Sequence, residues 1–410
     1  MTQADSRSRA QEGEVHYSPY DYAVHEDPYP FYARLREEAP LYHNPELGFW
    51  ALSRHEDVEN GFRDNQLFSS RFGVTLDKAA TGPHAHKVMS FLAMDPPLHT
   101  RMRGLVSRGF TPRRVVQMEP HIREIAAQYL DAARDNDDFD VIRDFAGKLP
   151  MDVISEMMGV PKADRDQVRA YADLVVHREE GIEDVPPAGI EAAMALVEYY
   201  TDMIAKRKAA PSDDLTSALL AAEIDGDRLS DEDVIAFLFL MVIAGNETTT
   251  KLLGHCLYWL WRNPGELAKV WQGSHSVTDW VEETLRYDTS TQLLARTTTA
   301  DVELHGGIIP QGERVVFLIG SANRDPRVFP DPDEFRLGRD TSRIMSFGFG
   351  RHYCMGASLA RLEARVALEE WLARFAAYEV DVTRTRRVHS VNVRGFDALP
   401  VSLTWRSSEG

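Results

Sequence analysis

The run "VIAFLFLMVIA", Val234 to Ala244, has no polar side chain over eleven residues, and it limits what this chain can fold into. A segment that is apolar on every side must be surrounded by other protein or by lipid. Eleven residues fall short of the roughly 20 that a membrane-spanning helix needs, so the run predicts a helix through the centre of a large soluble protein. Ser230 stands before it as an N-cap, with Asp231, Glu232 and Asp233 in the first turn. The helical pattern continues through "GNETTTKLLGHCLYWLWRN", which makes the whole stretch long enough to cross the molecule.

Helical spacing also marks "TPRRVVQMEPHIREIAAQYLDAARD" and "GIEAAMALVEYYTDMIAKRKA", and helices dominate from about residue 95 to 290. Strands are few and short: "FWALS" near residue 50, "RVVFLIG" at 314–320 and "LPVSLTW" at 399–405. "NRDPRVFPDPDEFRLGRD" reads as an ordered meander without regular structure. The fold class is mainly α with small β-sheets. With no repeat and no visible linker, the reading is a loose polar tail over residues 1–17 and one domain over 18–410.

The formal net charge of -18 argues against general attraction to nucleic acid or anionic membranes. Cys256 and Cys354 are the only cysteines. That count excludes a disulfide framework and cysteine-pair zinc sites, and it fits a reducing cytoplasm. The N-terminus has no apolar core for a signal peptide or anchor.

Cys256 lies on a helical pattern and is assigned to the core. Cys354 lies in "FGFGRHYCMG", residues 347–356, among three glycines. A dinucleotide loop of the G-x-G-x-x-G type is ruled out because Tyr353 stands where the third glycine belongs. The glycines instead allow backbone to pass close to something flat, with free N–H groups near the sulfur. A strong helix follows, and a helix N-terminus stabilises a thiolate. Taken alone, such a cysteine is more often a buried structural thiol. A stabilised thiolate beside close-packed backbone is also what a thiolate-ligated haem iron requires.

The stretch F-G-x-G-x-H-x-C-x-G resembles the haem-binding motif of cytochrome P-450 enzymes at every defined position, and the resemblance extends from about residue 27 to the end. It implies the fold of that family, a long central helix over haem b, with Cys354 as the axial ligand of the iron. "AGNETT", Ala244 to Thr249, at the end of the apolar helix, matches the family's oxygen-face segment. There Thr248 and Glu247 would hydrogen-bond and relay protons during O–O cleavage. Glu283 and Arg286 in "EETLRY" match its buried E-x-x-R pair, and Arg339 matches the further arginine of the meander. His99 and Arg103, Arg296 and His352 match residues that bind the haem propionates. One departure is "LRYDTSTQLLAR": many relatives carry proline soon after "LRY", so the turn over 289–294 is expected to be shaped differently.

The resemblance implies a monomeric, cytoplasmic monooxygenase without a membrane anchor, using dioxygen and two electrons to hydroxylate or epoxidise a substrate. A non-catalytic haem sensor and a peroxide-driven peroxygenase are the alternatives. The first would need an effector region, for which no segment is free. The second would not need the proton pair Glu247 and Thr248. Family topology would line the pocket with Met89, Phe91, Leu92, Val175, Met241, Ala244, Leu293, Leu294 and Val393, which implies a lipophilic small molecule. His177, Arg178 and Glu179 would sit at a mobile lid. Arg101, Arg103, Arg108, Arg113 and Arg114 form a run without acids, and Arg351, Arg361 and Arg365 flank the cysteine loop. These would steer an acidic ferredoxin, reduced in turn by a ferredoxin reductase that takes electrons from NAD(P)H.

Overall fold

The computed structural model describes residues 13, 15–107, 110, 112–177, 185–224 and 226–407. The helices that frame the site are α1 (Leu98–Val106), α2 (Glu119–Asp131), α3 (Leu149–Met158), α4 (Arg165–Val176), α5 (Pro187–Ala209), α6 (Asp231–Arg262), α7 (Val277–Tyr287) and α8 (Ala357–Arg374). Strands β1 (Leu41–Asn44), β2 (Phe49–Leu52), β3 (Phe68–Ser69), β4 (Leu293–Thr298) and β5 (Arg314–Leu318) form a sheet in the order β1-β2-β5-β4-β3. A ribbon of β6 (Phe375–Val380) and β7 (Val401–Trp405) closes the chain.

The apolar run is the first half of α6, a helix of 32 residues. Its start is set locally. Ser230 Oγ accepts from the Asp233 N–H at 3.1 Å, the Asp233 carboxylate accepts from the Ser230 N–H at 3.0 Å, and three acids face the positive helix end. By length and composition α6 could cross a membrane, which the run alone did not suggest; 56% of its most apolar window is buried inside the protein. α6 packs against α3, α5, α7 and α8, and α8 packs against α2. Phe237, Leu238, Leu253 and Leu257 are removed from water altogether, each stabilising by about 1.5–3 kcal/mol.

Sequence periodicity joins "TPRRVVQMEPHIREIAAQYLDAARD" into one helix, but the structure breaks it at Met118, before Pro120 near the N-terminus of α2. Proline lacks an N–H and fits only a helix's first turn. β4 went unread because "LLARTT" is short and interrupted by a charge, yet it pairs with β5 along five residues, including Leu293 with Leu318 and Arg296 with Val315. Residues 323–340 contain neither helix nor strand. Most of the expected tail lies outside the described residues. Tyr17, read as its last residue, is instead packed against Tyr32, Tyr42 and Phe49, so the ordered core begins before residue 18.

Candidate active site

The cysteine loop is shaped by two glycines. Gly348 has φ 69° and Gly350 φ 68°, a conformation that L side chains rarely adopt. The turn closes with the Cys354 N–H donating to the Phe347 carbonyl at 2.9 Å. The N–H groups of Gly356 and Ala357, leading into α8, point at the sulfur. The sequence favours a thiolate here, but burial outweighs these donors and the positive charges of Arg103 and Arg361, so the thiol is raised above its ordinary value. Bound metal overrides this, because a coordinating thiol is deprotonated outright.

Cys354 opens into a cavity whose wall also carries Thr248, Arg103, Arg296 and His352. Its basic side chains are short of partners. Arg296 is buried and, among the described residues, donates to the neighbouring Ala295 carbonyl; burial lowers it to about 10, partly offset by the Asp95 charge. Arg103 donates through Nη2 to the Tyr353 carbonyl at 2.7 Å while Nη1 has no partner. His99 lies behind the wall with its ring 4.1 Å from that of His352, and neither of its ring nitrogens is hydrogen-bonded. Burial, then the Arg103 charge, lowers His99 to about 4, and His352 is lowered further still. Glu363 of α8 also reaches the cavity, where burial raises its carboxyl well above the usual range. Buried donors and cations without an anion are costly. A soft sulfur on one side, apolar walls and a convergence of orphaned donors fit a flat iron-bearing group with two carboxylates.

"AGNETT" lies in the middle of α6 and not at its end, because "TTTKLLGHC" continues the helix on an apolar face. Thr248 Oγ1 donates to the Ala244 carbonyl at 2.9 Å, and the Thr248 carbonyl accepts from Ser290 Oγ at 2.8 Å. Glu247 does not line the cavity. It is buried one layer behind, where Lys251 Nζ lies 3.3 Å from its carboxylate. Lys251 was passed over in sequence because lysine one turn after glutamate usually marks a solvated face.

Of the pocket residues read from sequence, Phe91, Leu92, Met241, Ala244 and Leu294 line the cavity. Met89, Val175, Leu293 and Val393 do not, and this corrects the sequence reading. Side chains alternate along a strand, so Leu294 and Arg296 share one face of β4 and Leu293 takes the other, among Tyr17, Tyr32 and Phe49. Val393 pairs with Thr291 and faces a small hollow beside Tyr17 and His25. Val175 packs on the helical core, and Met89 ends a four-residue helix outside the wall. Arg178 and Glu179 lie outside the described residues; His177 ends α4, exposed.

Glu283 and Arg286 form a bidentate pair, both bonds 2.8 Å, and Arg286 also donates to the carbonyls of Asn323, Pro332 and Glu334. Arg339 Nε stands 3.5 Å from Glu283. In the turn without proline, buried Asp288 accepts from Arg394 Nε, Tyr29 Oη and Trp259 Nε1, each at 2.8 Å. The basic surface is smaller than the sequence suggests. Arg101 pairs with Asp227, Arg361 with Glu282, and Arg365 with Glu119 and Glu369. Arg103 points into the cavity, and Arg108 lies outside the described residues. Arg113, Arg114 and Arg351 have exposed side chains, as have Val116 and Tyr353.

The family model "Cytochrome P450" matches residues 188–389. A protein of Mycobacterium tuberculosis described as putative cytochrome P450 123 is 56% identical over 399 residues, covering 97% of this chain and 99% of that protein. The structure of cytochrome P450 CYP109Q5 from Chondromyces apiculatus superposes with a TM-score of 0.86 at 35% identity, covering 96% of this chain and 100% of that one. CYP109E1 from Bacillus megaterium, solved in complex with testosterone, gives a TM-score of 0.81 at 31% identity over 92% of this chain and 99% of its own.

Proposed function

The chain belongs to the cytochrome P450 family of haem monooxygenases, which incorporate oxygen from dioxygen with the help of redox partners, and from that premise we propose that it hydroxylates or epoxidises a lipophilic small molecule with electrons from a ferredoxin and its reductase. The haem supplies, when bound, an iron whose thiolate ligand favours O–O cleavage. Cys354 is that ligand, and His99, Arg103, Arg296 and His352 hold the two propionates. One observation carries this reading: a single cavity gathers Cys354, Arg103, Arg296, His352 and Thr248 from remote parts of the chain.

Thr248 presents a hydroxyl at the cavity, anchored by the Ala244 carbonyl, and Glu247 behind it exchanges protons with the outside. The apolar wall of Phe91, Leu92, Met241 and Leu294 supports a lipophilic substrate such as a steroid, the class held by the testosterone-bound relative. Arg113 and Arg351, both exposed, are cations that would meet an acidic ferredoxin. Glu283, Arg286 and Arg339 are structural. The enzyme works as a monomeric cytoplasmic protein of one domain, which takes in Tyr17.

The test is the absorption spectrum of the reduced protein under carbon monoxide, beside Cys354→Ala. A strongly red-shifted Soret band in the parent, absent from the variant, is expected. A histidine-type band in both proteins would remove Cys354 as the ligand and the oxygen chemistry with it.

A further inference from the structure

The turn that follows α7 has no proline and carries hydroxyls instead: Thr289, Ser290 and Thr291 all line the cavity. Its backbone is held from behind. The Arg394 N–H donates to the Ser290 carbonyl at 2.7 Å, and the Gln292 N–H to the Asn392 carbonyl at 2.8 Å. Gln292 Nε2 closes the turn on the Thr289 carbonyl at 2.7 Å. Toward α6, residues 289–292 make one hydrogen bond among the described residues. Buried Ser290 donates through Oγ to the Thr248 carbonyl at 2.8 Å.

That carbonyl lies where α6 is locally soft. Ala244, Gly245 and Thr248 border the cavity, so on that side a cavity wall replaces packed side chains. Gly245 weakens a helix relative to alanine. Thr248 Oγ1 bonds back to the Ala244 carbonyl, a pattern that competes with the backbone ladder and bends helices. Thr248 is therefore held at two points, its hydroxyl by Ala244 and its backbone by Ser290. The second point ties it to the turn, and the turn is itself fastened to residues 392–394.

We propose that Ser290 is a positioning residue: its hydroxyl fastens the cavity-lining turn to the backbone of Thr248 and so holds the Thr248 hydroxyl at one place on the cavity wall. The inference rests on the proton-handling role given to Thr248 above and adds the group that keeps it in register with the opposite wall.

The test uses the full holoprotein with Ser290→Ala, Thr248→Ala and the double variant, and it has two readouts. The first needs no turnover: the infrared C–O stretching band of the reduced protein under carbon monoxide. The frequency of this band follows the polar groups beside the gas, and its width follows their spread of positions. Ser290→Ala should broaden or split the parental band, and Thr248→Ala should shift it. In the double variant the broadening should vanish, because the hydroxyl whose spread it records is gone. The second readout is the fraction of electrons lost as peroxide, with testosterone as the probe and a plant-type ferredoxin and its reductase as donors. Ser290→Ala should raise it about twofold to tenfold, the weight of one neutral hydrogen bond, and should add nothing once Thr248 is alanine. Where testosterone gives no turnover, the band alone decides. A purely structural Ser290 would lower the urea midpoint and leave the band at its parental width. A parental band in Ser290→Ala beside a shifted one in Thr248→Ala overturns this inference and leaves the role of Thr248 standing. Additive effects of the two substitutions overturn it as well, since Ser290 would then act by another route. A parental band in Thr248→Ala overturns the role of Thr248, and this inference with it.

Discussion

Two buried groups of basic side chains lie in this chain, and they differ in whether the protein supplies the opposite charge. Around Asp288 and Glu283 it does. Arg286 is saturated by Glu283 and three carbonyls, and Asp288 gathers Arg394, Tyr29 and Trp259. Around Cys354 it does so only in part: Asp95 is the carboxylate near Arg296 and His99, while Arg103 Nη1 and both ring nitrogens of His99 have no partner among the described residues and Arg296 donates to its neighbour's carbonyl. A saturated cluster is complete when the chain folds, so its role is structural. An unsaturated one is complete only with a ligand, and its own charges state the ligand's sign. The comparison separates scaffold from site without reference to any relative.

The largest effect that could break it is Arg286→Ala. This change strands the Glu283 charge and should cost about 3–5 kcal/mol, much of a domain's stability. A urea midpoint equal to the parent's would show that the saturated cluster is not structural. Asp288 comes next. Burial would raise its carboxyl, but Arg394, His255, Arg387 and Arg324 outweigh burial and hold it well below the carboxylate range. A group depressed in this way stabilises the fold above its unfolded pKa of about 4, and the contribution is lost as pH falls toward the folded value. Asp288→Asn should therefore lose about 2–3 kcal/mol at neutral pH and show a flatter decline on acidification, read from melting temperatures across the acid range.

Arg296→Met sharpens the contrast because its sign should differ between states. Without haem, removing an unpaired buried cation should leave stability unchanged or raise it by about 1 kcal/mol. With haem, the lost charged hydrogen bond should weaken retention by about 1–3 kcal/mol, seen as faster transfer to an acceptor globin. Apoprotein destabilised as badly as Arg286→Ala would erase the distinction. The smallest effect concerns the other thiol. Cys256 is fully buried, and burial raises it to about 12. Cys256→Ala should cost about 1 kcal/mol as a small packing loss and leave the carbon monoxide spectrum untouched.

Legibility followed distance along the chain. The central helix, its cap at Ser230 and the glycine–cysteine loop could be read directly, since each depends on residues within a few positions. The basic face is smaller than its sequence suggests because Asp227, Glu282 and Glu119, which pair with three of its eight arginines, come from elsewhere in the chain. Leu293 misled for want of the β4 register, since a one-residue step reverses the face. Lys251 went unread because the same glutamate–lysine spacing occurs on solvated helices, and its burial shows only once Gly395, brought in from another segment, packs on its stem.

By itself the sequence determined the helices, their caps, the left-handed glycines and the one cysteine placed among them, because backbone preference and local hydrogen bonding act over one or two turns. Tertiary structure alone decided which cations find carboxylates and which are left facing a cavity. The partners of Arg101, Arg361 and Arg394 are settled between groups far apart in the chain, and no local pattern records them.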